Sequence, residues 1–308
     1  MRLISYLDGG RRRLGARAAV GTVDLTAVYA ALLSERGAAD ADAIAATLLP
    51  PDINAFLAGG EPSLEAAAEV LDHAGAHPEL ALEESTIELL PIVPNPPKII
   101  CVARNYADHV AEAKVEMVDV PNLFLRFARS LTAHGAPVLV PRVSDQVDWE
   151  GELAVVIGKP GKHIPASAAY DHVAGYSIFN DVSIRDWQLR KPPIQFGAGK
   201  NFDGSGPFGP ELVTRDEVPD PHALALELSV NGEVMQSNST ANMIFKIPAL
   251  IEHISAFTTL EPGDVIATGT PSGVGHFRDP PAYLKAGDTV RVEIQGVGVL
   301  ENPVEAEV

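Results

Sequence analysis

Glu150 and Glu152 flank one glycine immediately before the apolar run at 153–157, which Gly158 closes. A β-branched run of that length reads as a buried strand. If the strand begins at or before Glu150, both carboxylates project to one side of it. Two carboxylates held together away from water repel unless a positive charge lies between them. A divalent cation meets that requirement; a solvated strand edge would leave the pair needing no partner. His109 and Glu112 form a second candidate pair. In a helix over 106–114 they stand three residues apart on one face. There a carboxylate orients an imidazole and raises its basicity, as a water-activating base requires. An exposed ion pair has the same spacing. A third group is Asp181, Arg185 and Gln188, which share a face if a helix runs over 182–189. A carboxylate, a guanidinium and an amide together suit a metal-bound, carboxylate-bearing substrate, although Asp181 could equally cap the helix.

Two glycine-rich stretches complete the set. Lys200 is the only cation in the run 196–210, whose spacing is not that of a nucleotide phosphate loop. The loop 267–275 follows a strand, and its backbone N–H groups and the Thr270 hydroxyl could hold an anion, or simply form a tight turn.

These residues sit in a chain of 308 residues, 46% hydrophobic and 21% charged, the proportions of an ordinary globular protein. A formal net charge of -18 argues against nucleic-acid phosphates and against an anionic membrane surface as partners. No apolar run approaches the length of a membrane span, and the first twenty residues lack the apolar core of a signal peptide, so a cytoplasmic protein is expected. The single cysteine, Cys101, lies in an apolar strand-like run and reads as a buried structural thiol.

Four prolines within 91–97 forbid helix and favour an extended connector. They divide the chain into a small α/β accessory domain, 1–92, and a catalytic domain, 93–308. The first opens with an expected hairpin, 2–7 and 18–21 about an Asp8-Gly9-Gly10 turn, followed by alanine-rich helical patches at 38–49 and 64–74. The second is rich in short β-type runs, at 98–102, 137–140, 153–157, 173–179, 225–230, 264–267 and 289–294. Its clearest helix is at 247–257. An α+β, strand-rich domain folding as a sandwich or closed roll is expected.

Taken in order, the His109–Glu112 segment, the double-glutamate strand, Arg185-Asp186-Trp187-Gln188, the glycine-rich run with Lys200 and the stretch from Thr268 to Gly275 resemble the fumarylacetoacetate hydrolase family. Residues 280–288 add to the likeness, which runs from about Lys98 to the C-terminus. The resemblance implies a mixed β-roll and one Mg²⁺ or Mn²⁺ per subunit, held by Glu150, Glu152 and Asp181. It also implies a His109–Glu112 pair on a short lid-like helix with Lys200 nearby, and Arg104, Arg185, Gln188 and Thr270 as substrate-binding residues. Family members are homodimers or larger, acting on small 2-oxo acids or 1,3-dicarbonyl compounds. An all-oxygen site suits such hard cations better than zinc.

The expected activity is hydrolysis of a C–C bond in acylpyruvate-like or 2,4-dioxo acids through a metal-stabilised enolate. His109 would activate water and Lys200 would neutralise oxyanion charge. Decarboxylation or isomerisation of 2-oxo or 2-hydroxy dioic acids would use the same site, and a non-enzymatic metal-containing module is the third reading. Residues 113–121, with no strong apolar period, are expected to act as a lid. Two positions depart from many relatives, Ala103 in place of glycine and Arg126 in place of lysine; neither is expected to touch the metal ligands.

Overall fold

The computed structural model describes residues 1–190 and 193–308. The chain opens with a three-stranded meander, Arg2–Asp8, Arg11–Ala18 and Gly21–Asp24. Gly9 and Gly10 both take positive φ, 54° and 78°, as a two-residue hairpin loop requires. The second strand therefore starts at Arg11, not near residue 18 as expected. Arg13 within it is neutralised by Asp24, which its Nε meets at 2.7 Å. Asp24 also caps the helix Leu25–Glu35 through the Ala27 N–H. Helices Ala41–Leu48, Ile53–Ala58 and Glu61–Ala74 follow.

Arg2–Asp8 pairs antiparallel with the strand Gly206–Thr214, Leu3 opposite Leu212. The meander thereby extends a sheet that continues through Val173–Asn180, Gly151–Ile157, Val265–Ala267 and Ile99–Ala103 to an edge strand, Asn122–Arg126. A second sheet orders Glu233–Ser239, Ala225–Val230, Thr289–Ile294, Gly298–Ala306 and Val138–Val140. The strand-rich α+β architecture is as expected, and the strand order closes neither sheet into a barrel.

Two cores flank the central strand. Leu153, Val155 and Ile157 pack with Leu228, Val292 and the helix Ile247–Phe257, between the two sheets. Ala154 and Val156 face the other way, with Val28, Phe56 and Val70 of the N-terminal helices. The strand Gly151–Ile157 is buried on both faces, which is why it reads as one continuous apolar run. By alternation Glu152 shares the face of Ala154 and Val156, at the end of the strand that the helices leave open. Cys101 is buried there and burial pushes its thiol well above the usual range, so it is a packing residue as expected.

Candidate active site

Glu150 immediately precedes the central strand, Glu152 lies within it, and Asp181 follows the neighbouring strand Val173–Asn180. The Asp181 N–H donates to Glu150 O at 2.8 Å, so backbone pairing sets the two side chains beside each other. Each of the three carboxylates offers an oxygen within 4.8 Å of the others, and all three residues are buried. Lys200, 1% exposed, spends its three N–H bonds on Glu150 Oε2 (2.8 Å), Asp181 Oδ2 (2.7 Å) and Asp181 O (2.9 Å). Gly199 lets the short helix Phe196–Lys200 approach so closely, because a Cβ there would meet Gln188 Cβ at 2.4 Å. Arg126 donates to Asp181 Oδ1, and Arg185 Nη2 makes an ionic contact with Glu150 Oε1 at 2.7 Å, outside hydrogen-bond geometry.

Among the described residues Glu152 has no cation partner. Its Oε2 accepts only the Gly269 N–H, at 2.8 Å. The electrostatics follow. Burial alone would raise the Glu150 carboxyl, but the Lys200 and Arg185 charges outweigh it and hold it well below the ordinary range. Glu152 is pushed well above that range by burial and then by the charges of Asp181 and Glu150. Ionised, Glu152 would be a negative charge with no cation beside it among the described residues, in an all-oxygen donor set. Those are the requirements of a hard divalent cation, and the residues present fit one.

His109 is carried by the helix Ala107–Glu112, shorter than the span expected. Its Nδ1 lies 3.3 Å from Glu112 Oε2, whose other oxygen accepts the Gly273 N–H at 3.0 Å. Asp108 fixes the same helix by accepting from Ser272 Oγ and Asn238 Nδ2, both at 2.6 Å. The Thr270 hydroxyl donates to Gly151 O at 3.0 Å and accepts from Gln236 Nε2 at 2.8 Å, which binds the glycine-rich loop to the central strand. Phe277 leans on the imidazole, ring centroids 6.0 Å apart.

Nine of the ten residues singled out in the sequence line one cavity of about 190 Å³: Arg104, His109, Glu150, Glu152, Asp181, Arg185, Gln188, Lys200 and Thr270. Glu112 stands behind His109. Two expectations need correction. The helix at 182–189 is only Arg185–Gln188, because Ser183 and Ile184 pair as a strand with Val147 and Asp148. Asp181 is therefore no helix residue, yet it still meets Arg185 and Gln188 at the cavity wall. Arg126 was expected to stand clear of the ligands and instead bonds one of them.

Asp148 was overlooked. Fully buried, it accepts from Arg185 Nε (2.7 Å), Gly275 N (2.6 Å) and His276 N (2.9 Å). The signal was available, since Asp148 precedes Glu150 by the same two residues that separate Glu150 from Glu152. Arg126 and the Gly269 N–H left no local signal.

Residues 98–305 match the family described as fumarylacetoacetate (FAA) hydrolase C-terminal. The chain belongs to the fumarylacetoacetate hydrolase family. It is 48% identical over 256 residues to the oxaloacetate tautomerase fahd2, mitochondrial, of Xenopus laevis, covering 83% of this chain and 79% of that one. Among solved structures it resembles the fumarylacetoacetate hydrolase of Exiguobacterium antarcticum, at a TM-score of 0.77 and 34% identity over the whole of both chains. It also resembles the maleylpyruvate hydrolase of Sphingobium sp. SYK-6, solved with manganese(II) and pyruvate, at a TM-score of 0.76 and 29% identity, again over both whole chains. The family is one of enzymes. The expectation of a cytoplasmic protein does not stand, because the tautomerase this chain matches so extensively is a mitochondrial protein.

Proposed function

We propose that this fumarylacetoacetate hydrolase family member is a divalent-metal-dependent enzyme that moves a proton between C3 and the 2-oxo oxygen of an oxaloacetate-like acid. The observation that carries the reading is the shared cavity. A histidine held by a carboxylate faces the same 190 Å³ as three buried carboxylates and a lysine. The similarity to an oxaloacetate tautomerase favours this transfer over the C–C hydrolysis expected from the sequence. Glu150, Glu152 and Asp181 would hold one Mg²⁺ or Mn²⁺. When bound, the cation supplies Lewis-acid stabilisation of the negative charge that develops on the substrate.

The chain's own groups do the rest. Glu112 keeps a proton on His109 Nδ1 and so leaves Nε2 free as the base. His109 takes the proton from C3 and hands it to the 2-oxo oxygen, and in the reverse direction takes it from the enol hydroxyl and returns it to C3. Lys200 places a fixed positive charge beside Glu150 and Asp181, where it offsets charge growing on the substrate oxygens. Arg185, oriented by Asp148 and Gln188, presents a guanidinium to a substrate carboxylate.

Hydrolysis of an acylpyruvate is the second reading, supported by the likeness to the maleylpyruvate hydrolase. It differs in one step, since His109 would deprotonate a water that attacks the distal carbonyl. The chain would work as a homodimer or larger assembly, which sedimentation of the purified protein would test.

The deciding experiment follows enol–keto interconversion of oxaloacetate and cleavage of an acylpyruvate, each with saturating Mn²⁺. Interconversion well above the buffer rate is expected. His109→Ala should cut it about 10²- to 10⁴-fold while leaving Mn²⁺ affinity nearly intact, with Glu112→Gln milder. A wild-type rate no faster than buffer would sink the tautomerase reading; cleavage lost with His109 would restore the hydrolase.

A further inference from the structure

The helix that carries His109 is only six residues long, and no side chain caps its first turn. A helix that short does not hold its own place, so contacts with the rest of the fold must set its position. Asp108 and Glu112, four residues apart, share one face of it. They accept the N–H groups of consecutive residues, Ser272 at 3.3 Å and Gly273 at 3.0 Å. The loop they grip is itself seated on the strand Glu233–Ser239, where a Cβ on Gly273 would meet Met235 O at 2.2 Å.

Asp108 takes the larger share of this docking. Its Oδ2 also accepts from Ser272 Oγ and from Asn238 Nδ2, and its Oδ1 accepts the His109 N–H at 2.9 Å. Asn238 is turned the right way by its own oxygen, which accepts from Ser239 N and Asn242 Nδ2, both at 2.7 Å. Both oxygens of Asp108 therefore face N–H donors. An amide in its place would set its own N–H₂ against one of them whichever way it turned.

The same loop reaches the carboxylates. The Gly269 N–H donates to Glu152, and the Thr270 hydroxyl donates to Gly151 O. One stretch, 269–273, thus holds the double-glutamate strand at one end and the His109 helix at the other. Glu112 orients the imidazole within its helix; Asp108 places the helix.

We propose that Asp108 is a positioning residue which, with Asn238 and Ser272, fixes where His109 stands relative to the three carboxylates. Asp108 does not line the cavity, so it acts through the helix. The inference rests on His109 as the base in the reading above.

Hydrogen exchange on the metal-free protein tests the docking without reference to activity. Exchange at 107–112 should quicken about tenfold or more in Asp108→Asn, the scale of a lost charge-assisted bond. Asn238→Asp alone opposes two carboxylates and should quicken it too. The pair Asp108→Asn with Asn238→Asp, which faces an amide and a carboxylate again, should return it toward wild type. Tyr106 and Val110, 0% and 4% exposed, keep the segment packed in these variants, and Ser272→Ala gives a milder lesion. With saturating Mn²⁺, kcat for oxaloacetate interconversion should fall about 10- to 100-fold in Asp108→Asn and recover in the pair. KM and Mn²⁺ affinity should stay within about twofold of wild type. Unchanged exchange in Asp108→Asn, unchanged kcat despite faster exchange, or a pair no better than Asp108→Asn would each overturn the role and leave the catalytic reading standing. A wild type without turnover would sink that reading and the role in rate with it.

Discussion

Glu152 is the carboxylate whose chemistry is least compensated by the protein itself. It shares a buried site with Glu150 and Asp181 and, unlike them, has no cation against it among the described residues. Glu152→Gln removes that repulsion and one ligand together. The metal-free protein should become more stable, with Tm higher by about 2–4 °C, while the rise in Tm that Mn²⁺ produces in wild type shrinks. Thermal melts with and without Mn²⁺ check both halves, and a lower Tm in the metal-free variant would contradict this account. Period-two spacing alone was enough to pair Glu150 with Glu152. Arg126 was not legible, because Asp181 is 55 positions away and only the fold makes them neighbours. In Leu123-Phe124-Leu125-Arg126 it reads as the polar end of an ordinary edge strand.

At the level of elements, Asp148 ties the strand start, the Arg185 helix and the 275–276 turn together with one carboxylate. Asp148→Ala removes the partner of the buried Arg185 Nε and leaves three N–H groups, of Trp149, Gly275 and His276, without their acceptor. A loss of about 3–5 kcal/mol is expected, measured by urea unfolding. The segment 113–121 follows the His109 helix without regular structure, with Met117 and Val120 exposed at 60% and 61%. Ala113 and Val115 nevertheless line the cavity. Hydrogen exchange there should slow when oxalate and Mn²⁺ are bound; identical exchange in both states would rule the lid out. Elements with a clean period were readable, such as the helix Ile247–Phe257. The strand Gly206–Thr214 was not, since two glycines and two prolines mask its alternation. Its strand character comes from the neighbours that pair with it, Val173–Asn180 and Arg2–Asp8.

For the whole molecule, that pairing joins the two parts of the chain that the proline-rich connector divides in sequence. Removing residues 1–92 would bare the Gly206–Thr214 edge and uncover Val156, Phe179, Phe208 and Leu212. We expect the fragment 93–308 to aggregate on expression, read by size-exclusion chromatography; a soluble, monodisperse fragment would show that the accessory part is dispensable for folding. The cationic side chains around the carboxylates carry a different consequence. Lys200, Arg126 and Arg185 already brace Glu150 and Asp181 from within, so the scaffold stands without an ion to nail it together. A chelator should then silence the protein without melting it, and ions should come and go on the timescale of ligand exchange rather than of refolding. On the proposed metal-dependent reading, Mg²⁺ and Mn²⁺ would exchange at one such site, and the ion bound would follow their relative concentrations.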